Sequence, residues 1–149
     1  MTMKILAVAS GGGHWTQLMK LRDAFAGGDV EFVGVKDMYR ADVSPAHFHV
    51  VPDVSRLHKH RILIVLVKLF LILLSVRPDV IVTTGSAPGM LALRIGKLMG
   101  IRTIWIDSLA NVEQMSTSGL KARRYADLWL TQWKHLESPA GPKYFGSVL

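Results

Sequence analysis

A histidine directly after three glycines, in SGGGH at residues 10–14, is the pattern in this sequence best suited to chemistry. Gly11, Gly12 and Gly13 permit a tight turn and let a ligand approach backbone N–H groups, and a helix starting there adds a partial positive charge. The chemistry implied is the binding of a phosphate or diphosphate. A helix N-terminus favours a neutral over a cationic imidazole, and the neutral form is what a general base needs, so His14 is a candidate base. A histidine that merely caps the helix satisfies the same pattern.

Two later segments offer related chemistry. TTGSAPG at residues 83–89 repeats the glycine turn, with a proline able to sit in the first turn of a helix. Gly85, Ser86 and Gly89 either contact a second anionic group or simply start that helix. Asp107 opens DSLANVEQMSTSG directly after the apolar run 103–106. It binds a sugar hydroxyl, orients His14, acts as the base itself, or serves as an N-cap.

Other constellations fit less well. A dinucleotide site would use Asp37 beyond the second strand, but the third glycine of G-x-G-x-x-G falls on Thr16, and 149 residues leave no second domain for a substrate. A tight turn without a ligand also fits the glycines. The absence of cysteine removes disulfides, thiolate catalysis and zinc fingers. The pairs His47/His49 and His58/His60 have no acidic cluster beside them, so no metal site is expected. There is no G-x-S-x-G, and basic residues are not interleaved with aromatics as a nucleic-acid platform requires.

The elements that must position these loops follow from the hydrophobic pattern. Strand-like runs fall at 4–9, 30–35, 47–51, 79–83 and 103–106, with a weaker one at 128–131. Helix-length segments fall at 14–26, 60–76, 89–99 and 120–126. Val- and Ile-rich strands with little alternation, separated by helices, predict an α/β domain with a doubly wound, Rossmann-like parallel sheet spanning residues 1–149. The three loops then gather at the carboxyl ends of the strands. The Gly- and Pro-rich tail 137–149 reads as an exit segment.

Half the residues are apolar, and eighteen basic against eleven acidic residues leave a formal charge of +7, favouring anionic partners. The apolar run 5–9 is too short for a secretory signal, so the chain is expected on the cytoplasmic side. Residues 62–74 are apolar apart from Lys68. As a helix they reach roughly 20 Å, short of the ~30 Å needed to cross a bilayer. Arg61, Lys68 and Ser75 form one narrow polar stripe, which leaves more apolar surface than a sheet-packed helix needs. Beside Arg56, Lys59, His58 and His60, that surplus suits a helix dipping into an anionic membrane face, with Arg61, Ile62, Leu66, Phe70 and Leu73 as the membrane residues. A core helix, or one covered by a partner subunit, is the alternative.

Together, SGGGH, TTGSAPG, WIDSLANVEQMSTSGLKARRYADLWLTQW and the closing KYFGSVL resemble the bacterial PssD-type polysaccharide biosynthesis proteins. These are similar to the membrane-anchor subunit of the eukaryotic dolichol-linked UDP-GlcNAc transferase and to the N-terminal half of MurG. The resemblance implies the N-terminal, acceptor-side half of a GT-B glycosyltransferase split into two chains. A partner subunit would carry the C-terminal domain that binds the UDP-sugar, and the acceptor would be a polyprenyl-diphosphate-linked saccharide of exopolysaccharide or capsule biosynthesis. The family's glycine loop and histidine fall on Gly11, Gly12, Gly13 and His14, and its second glycine loop on Gly85, Ser86 and Gly89. Relatives often carry glutamate where this chain has Asp107. His14 or Asp107 would be the catalytic base, Lys121 and Arg124 would hold lipid phosphates, and the scheme requires neither metal nor cofactor. With no N-terminal transmembrane helix of the eukaryotic kind, segment 60–76 would carry attachment to the cytoplasmic face of the inner membrane. A non-catalytic scaffold that recruits the catalytic partner, and a free-standing nucleotide-binding protein, are the rival readings.

Overall fold

The computed structural model describes residues 1–54 and 59–148, so Arg56 and His58 lie outside the described residues. Seven strands form one wholly parallel sheet: β1 (Lys4–Val8), β2 (Asp29–Gly34), β3 (Phe48–Val50), β4 (Val80–Thr83), β5 (Arg102–Ile106), β6 (Leu128–Thr131) and β7 (Lys143–Tyr144). Their spatial order is β3-β2-β1-β4-β5-β6-β7. Among the described residues five α-helices accompany them: α1 (Gly13–Lys20), α2 (Arg40–Val43), α3 (His60–Val76), α4 (Ser86–Leu98) and α5 (Thr117–Ala122). The expected α/β doubly wound class is observed. The tail expected to be an exit segment instead supplies β7, which pairs with β6 through Leu130↔Lys143 and Thr131↔Tyr144.

The strand order reverses between β1 and β4, which are hydrogen-bonded neighbours from Ile5↔Val80 to Val8↔Thr83. In open parallel sheets the crevice beyond such a reversal is where ligands bind. The turns leaving these two strands are SGGGH and TTGSAPG, so the topology alone sets them side by side.

Alternate residues of each strand serve opposite layers. Leu6, Val8, Val33, Ile81 and Trp105 face α3 and α4, packing on Val65, Leu69, Leu73, Leu91 and Leu93. Ala7, Ala9 and Phe32 face α1, packing on Trp15 and Leu18. The small side chains of Ala7 and Ala9 let Trp15 come down onto the sheet. On this second face no α-helix among the described residues covers the half beyond β1, where Phe25 of the 3-10 turn Arg22–Phe25 packs on Ile5, Val80 and Val82. Ile5, Val80, Val82, Ile104, Ile106 and Leu130 instead help line a groove of about 850 Å³.

The apolar helix α3 has two apolar faces. Val65, Leu69, Leu73 and Val76 are buried in the core, with Ile62 and Leu66 half-buried against it. Leu63, Ile64, Val67, Phe70, Leu71 and Leu74 lie on the opposite side and are 45–68% exposed. Arg61, Lys68 and Ser75 are also exposed, along one flank of that outer face. This corrects the expected membrane set: Leu73 belongs to the core, Ile62 and Leu66 pack against it, and Phe70 and Arg61 alone of the five face outward. At ~1.5 Å per residue the 17 residues of α3 span roughly 25 Å. Among the described residues no helix is long and apolar enough to cross a membrane.

Candidate functional site

At the reversal point the glycine turn runs from β1 into α1. Gly12, with φ at +63°, takes the N-cap position that a side chain would strain. No side chain caps α1, and the first N–H groups of a helix have no partner within it. A Cβ on Gly13 would meet nothing within 4 Å, so the turn opens to solvent there. Gly12 differs from expectation: its N–H is already used, donating to the Tyr39 hydroxyl at 3.1 Å.

The second glycine turn meets the first through His14. Nδ1 of His14 lies 3.0 Å from the carbonyl oxygen of Thr84, and the Thr84 hydroxyl donates to the carbonyl of His14 at 2.7 Å. A carbonyl oxygen only accepts, so Nδ1 carries the proton in that bond. In the neutral ring Nε2 is therefore left with the lone pair. Gly85 makes the approach possible, because a Cβ there would fall 2.9 Å from His14 Nδ1. Its φ of +125° and the +73° of Ser86, which opens α4, give the turn a backbone shape that L-residues rarely adopt. Neither α1 nor α4 has a side-chain cap, so two uncapped helix starts meet at one imidazole.

Gly89 does not join them. It is buried, and a Cβ there would lie 2.0 Å from Thr83 Oγ1, so it is the close-packing glycine between α4 and β4.

Asp107 is placed differently from a carboxylate offered to a substrate. It is 1% exposed. Oδ1 accepts from the Trp105 indole at 3.0 Å and the Ser116 hydroxyl at 2.6 Å. Oδ2 accepts from the Ser116 N–H at 2.8 Å and the Asn111 amide at 3.2 Å. Gly119 packs so tightly that a Cβ would be 2.5 Å from Oδ1. The carboxylate thus organises loop 107–116 and the start of α5. Its Oδ1 holds the Trp105 indole, and that ring lies 3.8 Å from where a Cβ on Gly85 would stand.

Two glutamines that the sequence did not mark tie the third loop to the site. Gln17 on α1 donates to the Ser108 hydroxyl at 3.0 Å and accepts from the N–H of Leu109 at 3.0 Å. Buried Gln132 donates to Gln17 at 2.7 Å and to the carbonyl of Asp107 at 2.9 Å, and accepts from the N–H of Val148 at 2.9 Å. Lys121 and Arg124 lie elsewhere, in a groove shared with Met90, Arg94, Leu120 and Tyr125 that no glycine-turn residue lines. Asp37 pairs with Arg40 at 2.8 Å, and His49 with Glu31 at 2.6 Å. Among the described residues no group of three or more His, Cys, Asp or Glu could hold a metal ion.

The fold is shared with larger chains. MurG of Acinetobacter baumannii superposes with a TM-score of 0.80 at 11% identity, covering 99% of this chain and 46% of that one. A UDP-N-acetylglucosamine 2-epimerase of Rickettsia bellii gives 0.75 at 14% identity, with the same coverage. The UDP-GlcNAc 2-epimerase of Methanocaldococcus jannaschii, solved with UDP-GlcNAc and UDP, gives 0.68 at 12% identity, covering 87% of this chain and 40% of that one. This chain thus spans less than half of each. No curated protein matches the sequence significantly. The family model described as "Oligosaccharide biosynthesis protein Alg14 like" matches residues 55–148, taking in the second glycine turn, Asp107 and the tail strand, and the chain belongs to that family.

Proposed function

We propose that this chain is the acceptor-binding, membrane-docking half of a two-chain inverting glycosyltransferase of the PssD type. In this reading the enzyme moves a sugar from a UDP-sugar to a polyprenyl-diphosphate-linked saccharide during exopolysaccharide or capsule biosynthesis. The observation that carries the reading is the placement of His14, with Nδ1–H bonded to Thr84 and Nε2 available where two uncapped helix starts meet. The acceptor diphosphate lies against the glycine turn and presents its sugar hydroxyl to Nε2. As Nε2 takes the proton, the hydroxyl oxygen bonds to the anomeric carbon from the face opposite UDP. The bond from that carbon to the UDP oxygen breaks, and the configuration inverts. The Nδ1–H bond to Thr84 holds the ring and supports the imidazolium that forms. Asp107 acts at one remove, fixing Trp105 and through it the turn at Gly85.

The open sheet face supports a partner chain. Parallel sheets are ordinarily covered on both faces, and the groove of about 850 Å³ over β4 and β5 gives the chain that brings the UDP-sugar domain an apolar surface to cover. The six exposed apolar residues of α3, flanked by Arg61 and Lys68, support peripheral docking on an anionic membrane at the cytoplasmic face of the inner membrane. Lys121 and Arg124, on the same side of the sheet as α3, are assigned to lipid phosphates.

Co-expression with the chain carrying the missing half, followed by transfer from a panel of UDP-sugars to a polyprenyl-diphosphate sugar in membranes, tests this. Transfer should need both chains and fall by ~10²-fold or more in His14→Ala. Full activity of His14→Ala in the pair would leave this chain a scaffold.

A further inference from the structure

Lys36 and Tyr39 flank the glycine turn on the side away from His14. Lys36 lies just past β2, and Tyr39 ends the 3-10 turn Asp37–Tyr39 that follows. From the point where a Cβ on Gly11 would stand, the Tyr39 hydroxyl oxygen is 3.0 Å away and Lys36 Cε 3.8 Å. Both side chains therefore lie against the backbone that would carry the anion.

Their neighbours are already committed. Asp37 holds Arg40 at 2.8 Å, and Arg40 also donates to the carbonyl of Phe48. Asp42 accepts from the Trp15 indole at 2.8 Å. The Lys36 ammonium is exposed and has no acceptor among the described residues, so it stands as a positive charge beside the turn that none of them pairs. The Tyr39 ring is stacked on Trp15, centroids 4.7 Å apart and planes 18° from parallel, which fixes the hydroxyl. That oxygen accepts the N–H of Gly12, yet its own proton has no acceptor among the described residues. A phenol that accepts one hydrogen bond becomes a better donor of the next. Tyr39 therefore passes the donor capacity of Gly12 outward, in place of the backbone N–H it consumes.

We propose that Lys36 and Tyr39 bind the diphosphate of the lipid-linked acceptor, the ammonium as its counter-charge and the phenol as a hydrogen-bond donor, on the β2 side of the glycine turn. This rests on the acceptor reading above. It adds a recognition pair from a different strand and leaves Lys121 and Arg124 to a separate groove.

The test is steady-state kinetics of the reconstituted pair with Lys36→Met, Lys36→Arg and Tyr39→Phe, varying acceptor and UDP-sugar separately. Lys36→Met should raise the KM for acceptor about ten- to hundredfold, the cost of a lost charge-assisted contact, with the KM for UDP-sugar unchanged. Lys36→Arg should restore most of the loss. Tyr39→Phe, which keeps the stack on Trp15, should raise the acceptor KM in the same direction. An unchanged acceptor KM in Lys36→Met, or a rise in the UDP-sugar KM instead, overturns the proposal. The His14→Ala pair run alongside separates the two claims: its inactivity beside an unaffected Lys36→Met sinks only the diphosphate pair. Calorimetric titration of geranyl diphosphate into the chain alone gives a readout independent of turnover. Wild-type binding that weakens at least tenfold in Lys36→Met supports the proposal, and no wild-type binding overturns it.

Discussion

His14 and Gly85 are in mutual contact: the imidazole Nδ1 would be 2.9 Å from any Cβ placed on Gly85, and the carbonyl it bonds belongs to the preceding residue, Thr84. The proposed base is therefore aimed by the backbone of another strand's turn. Gly85→Ala should displace the ring and strain a backbone at φ +125°. A displacement of about 1 Å at a reacting group costs on the order of 10²-fold in rate, so kcat of the reconstituted pair should fall by about that factor while the sheet survives. Gly89→Ala provides the contrast. Its Cβ would strike Thr83 in the α4–β4 seam, so its melting temperature should drop more than that of Gly85→Ala. Equal kcat in Gly85→Ala and wild type would mean that the histidine is not held by this turn.

Asp107 gives a different signature. Its two oxygens accept four hydrogen bonds inside a closed loop. Asp107→Asn turns an NH₂ group toward at least one donor, leaving a buried pair unsatisfied at a cost of about 1–3 kcal/mol. Denaturant unfolding should show that loss in the chain alone, without partner or substrate. A stable Asp107→Asn chain that is nonetheless inactive in the pair would return the carboxylate to direct chemistry.

How much of this was legible in the sequence depends on how each feature is encoded. The two glycine turns and the sheet class could be read because buried parallel strands are nearly continuous apolar runs, and their turns need glycine where φ is positive. Gln17 and Gln132 could not: they carry no local pattern, and 115 residues separate two side chains that only the strand order brings together. Lys36 and Tyr39 sat in a segment with no helical or strand period, although it folds into a 3-10 turn and a short helix. In α3 the charged stripe was visible, but a helix apolar around most of its circumference does not say which arc meets the core. The pattern alone therefore sets Leu73 among the outward residues, whereas the fold buries it. The strand β7 is two residues long, too short for any periodicity to register.

Asp127 supplies an acid-sensitive clamp away from the site. Its pKa lies below the usual carboxylate range, first because Lys97 hydrogen-bonds it, and then through the N–H and hydroxyl of Thr103, against an opposing effect of burial. The clamp joins α4 to the starts of β5 and β6. A carboxyl whose folded pKa is depressed contributes stability that is present above its unfolded pKa, near 4, and is lost as pH falls through the lower folded value. Stability should therefore decline below about pH 4, and the decline should be shallower in Asp127→Asn, which is also less stable than wild type at neutral pH. Identical acid slopes for the two proteins would remove the clamp. The side chain of Asp127 is 40% exposed, so added salt should also shrink the difference.

The two faces of α3 can be told apart by measuring folding and membrane binding on the same variants. Leu69 and Leu73 are fully buried against the sheet, so Leu73→Ala should cost about 2–5 kcal/mol of stability. Leu63, Val67 and Phe70 face outward and are 45–68% exposed, so replacement by serine removes far less packing within the chain than Leu73→Ala does. If that face docks on a bilayer, the triple serine variant should lose less stability than Leu73→Ala yet bind anionic vesicles at least ~10²-fold more weakly, since each apolar side chain buried contributes ~1.5–3 kcal/mol. Lys68→Glu on the flank should weaken binding to anionic vesicles and leave the residual affinity for zwitterionic ones unchanged. Wild-type chain that ignores vesicles of either composition, while the triple serine variant fails to assemble with the partner chain, would assign the outer face of α3 to that partner and leave the membrane to another part of the complex.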